Sequence, residues 1–119
     1  MKKPISPQER RRASRKKFGY YMPVLENETG RLVGHLVDIS PDGLQLETST
    51  PLSVGEELSL YIELTPEVSD RLFLFFSART KWVQPDEIMP NFYHVGFEIT
   101  HIEPDAHQTY LRLIETYGE

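Results

Sequence analysis

The sequence contains no cysteine, which removes thiol catalysis, disulfide bridges and Cys-ligated metals from consideration. Long apolar runs are missing too. The longest, Leu72 to Phe76, is far short of the ~20 residues that cross a bilayer as a helix, so membrane insertion is not expected. The basic N-terminal stretch MKKPISPQERRRASRKK is not followed by the apolar segment of a secretory signal, so a cytoplasmic setting is expected. Catalytic signatures are also absent. His35, His94, His101 and His107 form no H-E-x-x-H pair, and there is neither a G-x-S-x-G elbow nor a glycine-rich phosphate loop. No enzymatic role and no metal site are therefore expected; the histidines read as strand-surface or turn residues, and Glu56 and Glu57 as solvating charges at a strand start.

What is present suits one compact domain: 119 residues with an apolar fraction of 39%. The formal net charge of -5 conceals a division. Residues 1–17 carry eight Lys/Arg against one Glu, a net +7, whereas the remaining residues carry five basic and 17 acidic side chains, a net -12. This reads as a flexible basic arm, 1–17, on an acidic body, 18–119, and the natural ligand of such an arm is an anion. A solvated tail held loosely by the body is the plainer alternative.

Periodicity in the body is that of strands. FGYYMPVL (18–25) reads as a first strand in which Pro23 favours an edge or a bulge, and LVGHLVDI (32–39) as a second. LQLET (44–48) alternates through Leu44 and Leu46. ELSLYIEL (57–64) does so through Leu58, Leu60, Ile62 and Leu64, and YHVGFEI (93–99) through Tyr93, Val95, Phe97 and Ile99. RLFLFFSARTKWV (71–83) is more continuously apolar and suits a bent central strand. These six strands have turn-rich connections and no long helices between them, so an antiparallel sheet or small barrel is expected. The last segment changes period: Ala106, Tyr110, Leu113 and Tyr117 draw an apolar stripe along a helix that opens at Pro104 and stops at Gly118. It would lie against the sheet or cover an open end of a barrel.

Two short patterns stand out. In the arm, Arg11 and Arg15 form R-x-x-x-R; arginine presents a planar fork of donors suited to phosphate oxygens or to the O6/N7 edge of guanine. At the end of the second strand, DISPDG places Asp38, Ser40 and Gly43 as D-x-S-x-x-G. A carboxylate complements the N1–H and N2–H donors of guanine, Ser adds a hydroxyl, and Gly lets a ligand approach the backbone. Taken alone, DISPDG is more simply a capped hairpin turn.

In this order within one small domain, the two patterns resemble those of the PilZ family, the bacterial receptor domains for cyclic di-GMP. The likeness extends to Trp82 in ARTKW, to Val95-Gly96-Phe97 and to the closing helix. It implies a six-stranded antiparallel β-barrel with a C-terminal α-helix and a flexible basic N-terminal arm that wraps over the nucleotide. It further implies that Arg11 and Arg15 hold guanine and phosphate, that Asp38, Ser40 and Gly43 form the facing wall, and that Arg10 accompanies binding of two intercalated cyclic di-GMP molecules rather than one. Arg12 would add a phosphate contact. Trp82 reads first as a core residue, because a lone Trp in an apolar strand usually buries, and otherwise as a stacking partner for guanine. Gly96 reads as a strand-packing glycine.

The expected function is a monomeric effector that binds cyclic di-GMP, needs no cofactor and switches its interaction with a downstream protein. The alternatives are a PilZ-like interaction module of motility or pilus machinery that binds no nucleotide, and a nucleic-acid binder, which the acidic body disfavours.

Overall fold

The computed structural model describes residues 16–17 and 22–117. Strands β1 (Lys16–Lys17), β2 (Pro23–Glu26), β3 (Leu32–Ser40), β4 (Gly43–Thr48), β5 (Glu57–Glu63), β6 (Phe73–Pro85) and β7 (Tyr93–His101) are followed by helix α1 (Pro104–Tyr117). All pairings are antiparallel. The order β3-β2-β5-β6-β7-β4 closes through the β3–β4 pairing into a six-stranded barrel, the one of the two architectures left open by the alternation that the resemblance implied. Closure leaves no long unpaired edge, as a sheet of this size requires. β1 adds to β3 beyond the end of β2: β2 pairs along Leu32 to His35, and β1 opposes Asp38 and Ile39. Residues 18–21 of the expected first strand and residues 1–15 of the arm lie outside the described residues.

The core is the inward half of each alternating pattern. Leu44 and Leu46, Leu60 and Ile62, Leu74, Phe76 and Ala78, and Val95 and Phe97 are all buried, joined by Val24, Leu36 and Ile39. Pro23 occupies the first residue of β2, a position that demands no ladder donor, and the β2–β3 register slips between Val24 and Leu25. The β6–β7 pairing shifts register twice, with Thr100 of β7 as the extra residue at Ser77/Ala78 and Lys81 of β6 as the extra residue at Thr80/Trp82; a bulge bends its strand, which helps both strands curve around the barrel.

The helix covers an end of the barrel. Pro104 opens it, Asp105 lies in its first turn, and the predicted stripe of Ala106, Tyr110 and Leu113, with Ile114, is buried. The Tyr110 ring packs 6.5 Å from that of Phe76. Its hydroxyl lies 2.6 Å from the carbonyl oxygen of Ser40 and 3.0 Å from that of Gly43, so the helix is pinned to the turn between β3 and β4. At the opposite end of these strands a cavity of about 490 Å³ opens, bordered by Leu32, His35, Glu47, Leu52, Leu58 and Phe92 among others. Among the described residues no helix is long and apolar enough to cross a membrane.

Candidate functional site

Directly opposed residues of an antiparallel pair share a face, so the register traces which side chains stand together. Trp82 opposes Gly96, Gly96 opposes Gln45, and Gln45 opposes Asp38. The chain neighbours of Gln45 and Gly96, namely Leu44, Leu46, Val95 and Phe97, point into the core. The row from Asp38 to Trp82 therefore lies on the outer face. In the adjacent row Ser40 opposes Gly43, Gly43 opposes Glu98, and Glu98 opposes Arg79. Asp38, Ser40, Gly43 and Trp82 thus belong to one outer surface. Arg10, Arg11, Arg12 and Arg15 lie outside the described residues.

The core reading of Trp82 is corrected: its residue is 41% exposed. Leu74, Phe76, Ala78 and Thr80 alternate inward, and an unbroken strand would send Trp82 after them. The register shift between Thr80 and Trp82 inserts Lys81 as the extra residue and turns the indole outward. There the ring lies over Gly96, where a Cβ would collide with the Nε1 and Cε2 atoms of Trp82. Gly96 is the packing glycine that was expected, and its partner is the indole.

The DISPDG turn is built firmly. Ser40 Oγ donates to the Gly43 carbonyl at 3.3 Å, and the Ile99 amide donates to the Asp42 carbonyl at 3.0 Å. A Cβ at Gly43 would run into the backbone carbonyl of Phe97, so β4 and β7 approach closely only because residue 43 is glycine. Asp38 is 1% exposed and Ser40 8%. Asp38 also sits at a register shift in the β3–β4 pairing, between Leu36 and Asp38.

Further residues of this surface carried no motif in the sequence. Glu98 pairs with Lys81 at 3.3 Å, beside Gly43. Gln45 stands between Asp38 and Gly96, and its Nε2 lies 3.3 Å from Nδ1 of His94. The other ring nitrogen of His94 is 2.8 Å from Oδ2 of Asp86. Asp86 Oδ1 accepts the amides of Ile88 and Met89, both at 2.8 Å. These backbone donors, with the His94 contact, hold the Asp86 carboxyl down at about 2. The pairing of Gln45 with His94 across β4 and β7 needed the strand register, which no local pattern supplies.

Solved structures that share the fold include the following three. The PilZ domain with c-di-GMP of YcgR from Escherichia coli superposes with a TM-score of 0.67 at 14% identity, covering 87% of both chains. Bacillus subtilis inhibitor of motility (MotI/DgrA) gives 0.67 at 21% identity over 86% of this chain and 48% of that one. K. pneumonia MrkH in its apo state gives 0.70 at 15% identity over 98% of this chain and 53% of that one. The chain therefore spans about half the length of the latter two. No curated protein matches it. The family model of the PilZ domain matches residues 9–116, a span that takes in β1 to β7 and nearly all of α1, and the chain belongs to the PilZ domain family.

Proposed function

We propose that this chain is a cyclic di-GMP receptor whose R-x-x-x-R arm and D-x-S-x-x-G turn grip the nucleotide together, and that ordering of the arm switches its interaction with a downstream protein. The observation that carries the reading is the common outer face of Asp38, Ser40 and Trp82, reached by the N-terminal chain at β1. Lys16 opposes Ile39, next to the last residue of β3, so the described N-terminal residues lie along the strand that carries Asp38 and Ser40. Support comes from family membership and from the YcgR PilZ domain, a structure described with c-di-GMP.

In this reading the Asp38 carboxylate accepts from N1–H and N2–H of a guanine, and Ser40 contributes its hydroxyl. Asp38 and Trp82 are three strand steps apart, ~14 Å at ordinary sheet spacing, so a second base can stack on the indole while the first meets Asp38. Arg11 and Arg15 supply forks for guanine and phosphate, Gly43 completes the turn, and Arg10 favours two intercalated ligand molecules. Asp38 is 1% exposed, so the ligand gains its carboxylate through a rearrangement of that face. Ordering a segment costs about 1–2 kcal/mol per residue, and the ligand offsets this by bridging arm and barrel.

The same burial favours the second reading, an interaction module that binds no nucleotide. Calorimetric titration with cyclic di-GMP separates the two. The wild type should bind, with one or two ligands per chain. Arg15→Ala and Asp38→Ala should each weaken binding roughly 10- to 150-fold, the equivalent of ~1.5–3 kcal/mol for charged hydrogen bonds. A folded wild type that takes up no ligand would establish the interaction-module reading instead.

A further inference from the structure

We infer that the outer face carries a site for a divalent transition metal of the zinc class, formed by Glu47, Asp86 and His94. The ligand atoms these residues can offer all lie within 4.8 Å of one another, and all three residues are half-buried. They come from separate places in the chain. Glu47 and His94 are opposed across β4 and β7, and Asp86 follows the end of β6.

The chemistry of the set favours zinc over magnesium or calcium. One imidazole nitrogen and two carboxylates form a mixed N/O set, whereas the hard cations take oxygen ligands almost exclusively. Three protein ligands leave a fourth tetrahedral position open to water. The carboxylate of Asp86 is prepared for this role: Oδ1 is held by the amides of Ile88 and Met89, and Oδ2 is turned toward His94. Oδ2 of Asp86 and Nε2 of His94 lie 2.8 Å apart, so the two atoms already point toward a common region.

The outer support of the histidine is also in position. With Nε2–H donating to Asp86, Nδ1 accepts from the Gln45 amide at 3.3 Å. With Nε2 given to a metal the ring proton would sit on Nδ1, and Gln45 would accept a hydrogen bond from Nδ1–H by turning its amide through half a revolution, so that Oε1 faces the ring. Glu47 borders the open cavity of about 490 Å³, which gives an ion a path from solvent. Because Gln45 directly opposes both Asp38 and Gly96, the metal site adjoins the proposed nucleotide face without depending on it.

The test uses chelator-treated full-length chain titrated with Zn²⁺ by calorimetry, with Co²⁺ absorption as a second readout. One site per chain is expected, and His94→Ala and Glu47→Gln should each weaken Zn²⁺ by ~10-fold or more, because even losing an outer-shell partner of a ligand typically costs that much. Glu47→Gln changes neither size nor shape, so thermal melting without metal should match the wild type and separate ligation from folding. His101→Ala, which removes the exposed His101–Glu103 pair at 2.8 Å, should leave Zn²⁺ affinity unchanged. The inference is overturned if the wild type takes up no Zn²⁺, if its affinity survives both His94→Ala and Glu47→Gln, or if His101→Ala abolishes binding.

Discussion

Tyr110→Phe removes a single atom from the contact between the helix and the motif turn, and the consequence can be worked from the structure. The side chain is fully buried, and its hydroxyl lies 2.6 Å from the Ser40 carbonyl and 3.0 Å from the Gly43 carbonyl. One hydroxyl has one proton, so the two contacts amount to a single shared hydrogen bond. Gly43 O also accepts from Ser40 Oγ at 3.3 Å, so the larger loss falls on Ser40 O, which gives up its donor from the helix. Weakening the satisfaction of a buried carbonyl costs about 1–3 kcal/mol, a substantial part of the ~5–15 kcal/mol that holds a domain folded. For a chain of this length that corresponds to a fall in Tm of ~3–6 °C per kcal/mol. Urea denaturation should show the midpoint falling with an unchanged slope, since the variant exposes the same surface on unfolding. Hydrogen exchange at the Ile99 amide, which donates to Asp42 O, should quicken as the turn loosens. A midpoint shift worth less than ~0.5 kcal/mol, in the range of neutral surface substitutions, would refute the idea that Tyr110 pins the turn.

Other substitutions probe the same face. Gly43→Ala drives a methyl group into the Phe97 backbone carbonyl, which cannot swing aside as a side chain could, so a loss of ~1–3 kcal/mol or more is expected by thermal melting. Native-like stability in that variant would show that β4 and β7 can separate without penalty. Trp82 is the only tryptophan, so intrinsic fluorescence reads it alone; acrylamide should quench it readily, and cyclic di-GMP should shift its emission if a base stacks on the ring. Emission typical of a buried indole would contradict its outward orientation. Asp86 should titrate near 2 rather than its ordinary 3.8. Because the folded value is the lower one, its contribution to stability is complete above 3.8, declines as the pH falls below that, and is gone once the pH has passed below about 2. A carboxyl NMR titration with a midpoint at or above 3.8 would rule out the hydrogen-bonded cradle from Ile88, Met89 and His94.

Much of the barrel could be read from local pattern. Alternation through Leu58, Leu60 and Ile62, or through Val95 and Phe97, is imposed by a strand with one dry face, and it assigned the core side correctly. The helix period through Ala106, Tyr110 and Leu113 likewise identified the packing face of α1. Trp82 was misjudged as core because the register shift at Thr80/Trp82 has no marker in ARTKW, and a one-residue shift reverses the direction of every side chain beyond it. Gly96 was legible as a strand-packing glycine, but its partner was not: it makes room for the Trp82 indole on the outer face.

The sequence by itself determined the alternation that closes the barrel, the amphipathic helix, the division between basic arm and acidic body, and the two motifs that suggest guanine recognition, because each depends on residues close together in the chain. Only the tertiary structure decided that Asp38, Gln45, Gly96 and Trp82 lie in one row, that Tyr110 reaches the carbonyls of the DISPDG turn, and that Glu47, Asp86 and His94 meet. Those relations arise from strand register and from where β6 bulges, and register is settled by the packing of the whole barrel rather than by any one segment.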